Sequence, residues 1–237
     1  MVPSMTRRTL TFALLLIALS SSGASAQPAM RGETLYRVTL LRATPGRLLD
    51  LIASVKPKTV GTPGARPILL RHAQGDHWDL MFLEPIAGYA QVLKDDRPAP
   101  LAPADLVAWQ EDEFVRGPDL DAVPGFREAN LYHVEMFHAL ASRRAELVKE
   151  REMENAYAGL IGRPQTAIFV REFGGSWDSF TIGSYRGWKH YAERDDIPKD
   201  KTAVAAKAAG FADVDNIGPY LRSLILDHHD SLLTPVR

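Results

Sequence analysis

An internal repeat constrains the fold of this chain more than any other feature of its sequence. Four apolar residues of the first half recur 96 positions later: Leu35, Tyr36, Val38 and Leu51 are matched by Leu131, Tyr132, Val134 and Leu147. After a three-residue insertion the shift becomes 99, and the Gly-x-x-Trp-Asp of residues 75–79 recurs at residues 174–178. Because duplicated segments adopt a common local geometry, the two halves are expected to share one fold.

Each half predicts the same order of secondary-structure elements. Residues 35–42 and 131–138 are short and rich in β-branched and aromatic side chains, which is typical of strands. Residues at helical spacing follow: Leu48, Leu51, Ile52 and Val55 in the first half, and Met153, Ala156, Tyr157 and Leu160 in the second. A hairpin is predicted next over residues 68–83 and over residues 166–182, before helices that begin near Ile86 and Tyr185. The predicted order is β-α-β-β-α in both halves.

This order is typical of the ferredoxin-like unit, an antiparallel sheet with helices on one face, so an α+β fold with two tandem units is predicted. The units cover residues 33–116 and 131–231, and residues 117–130 link them. Since each sheet leaves one face open, the two sheets are expected to pack on each other. In element order and paired Trp-Asp strands, residues 33–231 resemble the dimeric α/β barrel superfamily in its fused form. Residues 217–230 also resemble the closing segment of exported bacterial proteins of this kind.

The resemblance implies a fused α/β barrel and leaves the function open. The superfamily includes cofactor-independent monooxygenases, lactone isomerases, haem enzymes related to chlorite dismutase and proteins that only bind a ligand. The favoured interpretation is an exported barrel that binds a small aromatic or anionic molecule, and it leaves open whether the protein also acts on that molecule as a cofactor-independent monooxygenase or isomerase. One alternative is a non-catalytic binding or structural protein whose barrel is filled with side chains, and another is a haem-binding protein. A monomer and a homodimer are both compatible with the sequence.

Strand alternation selects the candidate site residues. The steadily apolar series that contains Tyr36 and Tyr132 is predicted to face the helices. The opposite face would then line the barrel interior with the following side chains: Arg37 and Thr39, His133 and Glu135, Trp78 and Trp177, and Ser179 and Thr181.

The chemistry expected of these residues depends on their convergence. His133 and Glu135 share one face of a strand about 7 Å apart, so His133 could act as a general base that Glu135 orients. Arg37 could stabilise an anionic oxygen, and the two tryptophans could stack on a flat ligand beside the hydroxyls of Thr39, Ser179 and Thr181. In the alternative interpretation, His133, Glu135 and Arg37 form a polar cluster that only fixes the packing of the sheet.

The Asp-His-His-Asp of residues 227–230 suggests a metal site at first sight. Consecutive helical residues point about 100° apart, so a helix cannot bring these four side chains to one ion. His228 continues a helical series with Leu221, Leu224 and Ile225, which favours a buried, hydrogen-bonded histidine. No metal or cofactor is therefore predicted, although His228 or His190 remains a possible haem ligand.

The first 26 residues have the three parts of a secretory signal. Arg7 and Arg8 precede the apolar run of residues 12–19, and the Ala-Ser-Ala of residues 24–26 fits signal-peptidase cleavage. The apolar run is too short to span a bilayer, so a periplasmic or secreted protein is predicted, by general secretion rather than the twin-arginine route. Cleavage removes two arginines and changes the formal charge from −1 to −3.

The bulk composition excludes several functional classes. The chain has no cysteine, which rules out disulfides, thiolate metal sites and a cysteine nucleophile. Its basic residues are scattered and its net charge is weakly negative, so no nucleic-acid partner is predicted.

The first testable prediction concerns processing. Because Ala24 and Ala26 fit the cleavage rule, the exported protein should begin at Gln27. Amino-terminal sequencing of protein from the periplasm or medium measures this directly. A chain that keeps Met1 in a membrane fraction would contradict it.

Overall fold

The computed structural model describes residues 30–92, 100–193 and 197–237, so the predicted signal segment lies outside the described residues. The strands are β1 (Thr34–Ala43), β2 (Ile68–Gln74), β3 (Leu80–Pro85), β4 (Val107–Gly117), β5 (Leu131–Ala139), β6 (Thr166–Gly174), β7 (Ser179–Tyr185) and β8 (Ile225–Pro235). The α-helices are α1 (Leu48–Val55), α2 (Tyr89–Val92), α3 (Arg144–Ile161), α4 (Trp188–Ala192), α5 (Lys199–Ala208) and α6 (Ile217–Arg222). Within the described ranges, no helix has the length and apolar character needed to cross a membrane.

The eight strands close into one antiparallel barrel in the order β1-β3-β2-β8-β5-β7-β6-β4. Each half contributes four consecutive strands in the ferredoxin-like arrangement, with its first strand between its third and fourth. The two sheets join through the pairs β2–β8 and β4–β6. This arrangement confirms the predicted α+β barrel. Strands β4 and β8 were not predicted, and they supply one side of each junction.

The repeated Trp-Asp pair has the same structural role in both halves. Asp79 Oδ2 accepts a hydrogen bond from the amide of Ala43 at 2.8 Å, and Asp178 Oδ2 accepts one from Ala139 at 2.9 Å. The amide of Asp79 donates to the carbonyl of Leu41, as the amide of Asp178 donates to that of Phe137. Both aspartates thus attach the turn of a hairpin, just before its second strand, to the end of the first strand of their half, which explains the sequence identity of these segments.

The interior of the barrel is an apolar core to which all eight strands contribute. One continuous cluster includes Tyr36, Val38, Leu40, Leu70, Met81, Leu83, Val115, Tyr132, Val134, Met136, Ala167, Phe169, Phe180, Ile182 and Leu233. Trp78 and Trp177, just before β3 and β7, belong to the same cluster. The linker closes one end with Leu120, Val123 and Phe126.

The predicted phase of the strands was therefore wrong. The series with Tyr36 and Tyr132 fills the barrel, whereas Arg37, Thr39, His133 and Glu135 lie on the outer face, where the helices pack. The outer face of the first half carries α1, with Leu51 and Val55 against Leu41 and Phe82. In the second half, Leu147 of α3 packs with Phe137 and with the segment Leu221–Ile225.

In the second half, the helix predicted around Met153–Leu160 is present as α3, but its predicted apolar face is wrong, and the helix predicted through His228 is wrong at that residue. Helix α3 buries Leu147, Val148, Glu150, Arg151, Asn155 and Ile161, and it exposes Ala156 and Leu160. Its buried face is partly ionic, so an apolar spacing rule selects the wrong side. The helix predicted through His228 ends at Arg222, and His228 lies on β8. The polar segment 227–230 continues as a strand because it pairs with β5.

One acidic side chain lies inside the apolar barrel. Glu113, two residues before Val115 on β4, is 2 % exposed, and neither carboxyl oxygen has a hydrogen-bond partner among the described residues. Burial, aided by the nearby Glu111, raises the pKa of Glu113 to about 8, against the partial opposition of Arg171. The folded protein thus keeps a proton on Glu113 at neutral pH.

The raised pKa of Glu113 predicts a pH dependence of stability. Between the ordinary value of 4.5 and about 8, the folded state holds a proton that the unfolded chain has released. The free energy of unfolding should therefore decrease as pH rises through this window. The substitution Glu113→Gln removes the titrating group, so it should raise the melting temperature at pH 8, by roughly 5 °C or more, and change it little at pH 4.5. Thermal melts of both proteins from pH 4.5 to 8 measure the difference, and parallel curves would contradict the assignment.

Candidate functional site

A cavity of about 350 Å³ lies between the barrel wall and α3, on the outer face of the second half. His133 and Glu135 of β5 form its floor, and Arg151 and Glu154 of α3 form one side. Its volume is in the range of sites for small molecules. We call it the polar cavity because ionisable side chains of both the strand and the helix line it.

His133 is held by a carboxylate from the neighbouring strand. Its Nε2 lies 3.1 Å from Oδ1 of Asp230 on β8, and its side chain is 15 % exposed. Strand register accounts for the pair, because Asp230 lies opposite Glu135 and thus on the same outer face as His133. The hydrogen bond from His133 lowers the pKa of Asp230, although burial opposes the shift. Asp230 therefore remains a carboxylate and fixes the orientation of the imidazole.

Arg151 links the floor of the cavity to α3. Its guanidinium lies 2.6 Å from carboxylate oxygens of Glu150 and Glu154 and 3.5 Å from Oε2 of Glu135. It also lies over the ring of Phe137, 5.0 Å from the centroid. The side chains of Arg151 and Glu150 are 3 % and 0 % exposed. Burial raises the pKa of Glu150 to about 7, even though Arg151 opposes the shift.

The first half contains the structural counterpart of the His133–Asp230 pair. Arg37, which corresponds to His133 in the repeat, donates from Nε to Oδ1 of Asp112 at 3.0 Å. Thr39, which corresponds to Glu135, donates to the same oxygen at 2.5 Å. Both pairs join a basic residue on the first strand of a half to an aspartate on the fourth strand. The first half holds an arginine, whose guanidinium only donates hydrogen bonds, and the second half holds a histidine, whose imidazole can both donate and accept a proton.

The structure brings together only some of the predicted site residues. Glu135 lies in the polar cavity with His133, and Thr181 Oγ1 contacts Glu135 Oε2 at 3.3 Å. Arg37 is on β1, four strands away from β5 in the closed order, so it does not reach His133. The catalytic roles predicted for His133, Glu135 and Arg37 stay predictions, as does the ligand contact predicted for Thr181.

The other predicted ligand contacts lie elsewhere. Trp78 and Trp177 are 1 % and 7 % exposed in the barrel core, where Trp177 also stacks on His138 with ring centroids 4.1 Å apart. Ser179 is buried on β7, and Thr39 is bound to Asp112. None of these four side chains lines the polar cavity.

Several residues of the cavity were missed at the level of sequence. Arg151 and Glu154 come from α3, whose buried face was misassigned, and Arg163 follows that helix. Three aromatic side chains, Tyr157, Tyr185 and Tyr191, also line the cavity. The available signal was the alternation of acidic and basic residues in the segment 149–154, which looks like a solvated helical surface until its partner strand is known.

The chemistry of the cluster argues against a metal centre. His133, Glu135 and Asp230 bring one ligand atom each to within 4.8 Å of the others, so they are close enough to hold an ion. Arg151, however, lies 3.5 Å from Glu135, and Arg222 donates to Nδ1 of His228, whose Nε2 contacts Asp230. Arg151 and His228 thus already contact Glu135 and Asp230, and an ion at this point would have to compete with them for those carboxylates.

The two candidate haem ligands are in different surroundings. Both ring nitrogens of His228 have partners, Arg222 and Asp230, so His228 does not fit an axial ligand in this arrangement. His190 accepts a hydrogen bond at Nδ1 from the amide of Arg186, and its role as a haem ligand stays a prediction.

Comparison with known proteins identifies the architecture. No protein-family model and no curated protein matches the chain at the level of sequence. Among solved structures, it is similar to an anthrone oxidase-like protein with a TM-score of 0.57 and 12 % identity, over 88 % of this chain and 93 % of that one. It is also similar to a chlorite dismutase-like protein, with a TM-score of 0.51 and 9 % identity, over 86 % of this chain and 95 % of that one. The chain shares with these structures the fold of an eight-stranded α/β barrel with two ferredoxin-like halves. At these identities, the likeness establishes the fold of the barrel and not its activity.

The ion cluster of Arg151 and its three glutamates, between α3 and the outer face of β5, yields a stability prediction. Replacing Arg151 with methionine keeps the volume but leaves Glu150 without its partner. Removal of one member of a buried ion pair typically destabilises a protein by about 3–5 kcal/mol. Chemical denaturation of Arg151→Met should show a loss of this size, and the additional change Glu150→Gln should recover part of it. A single variant as stable as the wild type would show that the cluster contributes little.

Proposed function

We propose that the protein is an exported, cofactor-independent enzyme that removes a proton from a small aromatic or anionic molecule in the polar cavity. The His133–Asp230 pair supports this proposal most directly. It places an oriented, titratable base in the wall of a cavity large enough for a small ligand. The corresponding pair in the other half contains Arg37, whose guanidinium has no lone pair with which to accept a proton.

The geometry gives each member of the pair a role. With a proton on Nε2 directed at Asp230, the lone pair of His133 is on Nδ1, where it can accept a proton from the ligand. Transfer makes the imidazole positive, and the carboxylate of Asp230 stabilises that charge. The same imidazolium can return the proton in a later step.

Arg163 is the residue best placed to stabilise the negative charge left on the ligand. It lines the polar cavity, and its guanidinium donates to the carbonyl oxygens of His190 and Tyr191 at 2.8 and 3.2 Å. These contacts hold the guanidinium through neutral carbonyl groups, and a carboxylate oxygen of Glu193 lies 3.9 Å from its Nη1. Arg151, in contrast, is surrounded by three glutamates, and Arg37 lies on another part of the barrel.

The aromatic lining supports a flat ligand. Tyr157, Tyr185 and Tyr191 border the polar cavity, and the rings of Tyr185 and Tyr191 meet edge to face at 5.0 Å. Such rings offer apolar contact together with hydroxyl groups that can hydrogen-bond to a polar substituent. They take the role that the sequence analysis gave to Trp78 and Trp177.

Proton removal is the step shared by the two predicted activities. In an isomerase, His133 returns the proton to a different atom of the same anion. In a monooxygenase without a cofactor, the anion itself supplies electrons to dioxygen. A protein that only binds the ligand would use the same cavity without either outcome.

The proposal is tested with a pair of reciprocal variants. His133→Arg keeps a hydrogen-bond donor for Asp230 and copies the pair of the first half, but it removes the base. Arg37→His makes the opposite change in the first half and serves as the control. Purified proteins are incubated with a panel of phenols, naphthols and enolisable 1,3-diketones, while oxygen uptake and ultraviolet absorbance are recorded. His133→Arg should lower any turnover by about 100-fold or more, as expected for loss of a general base.

The control should retain the wild-type rate on the same compounds. Equal activity of His133→Arg and the wild type would contradict the proposed base. Binding of panel compounds in the polar cavity without any turnover would instead favour the non-catalytic alternative.

A further inference from the structure

A second cavity, of about 380 Å³, lies beside the polar cavity at the end of the barrel that the linker closes. Its lining includes the apolar side chains of Met30, Val123, Pro124 and Ala129. Gly159, on an exposed position of α3, leaves space on one side. We call it the apolar cavity.

The two cavities share a wall. Arg163, Pro164 and Tyr185 line both of them and form the boundary between the two spaces. The backbone contacts of Arg163 with His190 and Tyr191 hold its side chain at this boundary, because His190 lines the apolar cavity and Tyr191 the polar one. The two cavities are therefore direct neighbours, and the side chain of Arg163 lies at their shared boundary.

The chemical character changes across this wall. The polar cavity presents His133, Glu135, Arg151 and Glu154, all on its own side. Two charged residues of the apolar cavity, Glu128 and Arg186, are exposed at its rim, where their charges stay in water. Burial, together with the cations of Arg186 and Arg163, lowers the pKa of His190, which keeps this imidazole neutral. The buried charge of the apolar cavity is thus confined to Arg163, whose side chain is 12 % exposed and lies at the wall shared with the polar cavity.

We propose that the apolar cavity binds the hydrophobic part of the molecule whose ionisable group lies next to His133. This inference rests on the proposed function and narrows its substrate class. The ligand is an amphipathic molecule, with an acidic or phenolic head in the polar cavity and an uncharged alkyl or aryl extension beyond Arg163. Burial of that extension supplies most of the affinity, because each buried methylene contributes about 0.8 kcal/mol.

The test uses two phenols that differ only in the extension. Binding of phenol and of 4-hexylphenol to the wild-type protein is measured by isothermal titration calorimetry, below the pKa of both phenols. The wild type should bind 4-hexylphenol more tightly by at least about 10-fold. The variant Gly159→Leu, which places a side chain in the apolar cavity and favours the helix, should lose this gain and keep the affinity for phenol.

Ala156→Leu is the matched control, because Ala156 is exposed on the same helix and lines neither cavity. It should bind both phenols as the wild type does. Equal affinity of the wild type for both compounds, absence of binding, or a gain that survives in Gly159→Leu would overturn the inference.

The same titrations separate this inference from the proposed enzyme activity. If 4-hexylphenol binds tightly and loses affinity in Gly159→Leu, the apolar cavity is a ligand site, whatever the effect of His133→Arg on turnover. If turnover depends on His133 and the hexyl chain adds no affinity, the base is correct and the bipartite ligand is wrong.

Discussion

The structure depends on the hydrogen-bonded closure of two four-stranded sheets. The pairs β2–β8 and β4–β6 join the halves, so the barrel has no free edge, and every strand must turn one face inward. A barrel of eight strands has an interior that side chains can fill, and here the filling is a continuous apolar cluster together with the carboxyl group of Glu113. The polar cavity and its ionisable side chains lie instead on the outer face, where helices cover the sheet and leave clefts.

The position of α3 on that outer face is fixed by charge as well as by apolar contact. Leu147 packs on Phe137. Arg151, also on α3, contacts Glu135 on strand β5 and Glu150, its neighbour on the helix. Dehydrating these groups is costly, and only mutual contact offsets the cost. These ionic contacts connect α3 to β5. The polar cavity lies between the helix and the strand, with Arg151 and Glu135 in its lining.

The sequence predicts the repeat, the element order and the fold class because these depend on periodic and local signals. It cannot settle which face of a strand lies inside, since Tyr36 and Val38 fill the barrel while Leu41 on the other face packs under α1. Both faces of this strand are apolar. Alternation therefore separates its side chains into two sets but does not show which set faces the barrel interior. Strand β8 is missed for a different reason. Its residues 227–230 are polar and do not have the pattern of a strand, but they form one because they pair with β5.

The candidate site is less predictable because it is assembled across elements. His133 and Glu135 were selected from one strand, but Asp230 joins them only through the strand register, and Arg163 only through the end of α3. Arg37 was grouped with His133 because the two occupy equivalent positions. Equivalence in a repeat places residues at symmetric sites on the barrel, and symmetric sites are distant ones.

The pairs Arg37–Asp112 and His133–Asp230 have a consequence for how such a barrel can evolve. A barrel assembled from two identical chains carries every substitution twice, so a residue that benefits catalysis at one site must be tolerated at the other. Fusion of the two units into one chain removes that obligation. One copy of the pair can keep an arginine, whose ion pair with aspartate connects two strands. The other copy is free to acquire a histidine, whose ring nitrogen can accept a proton.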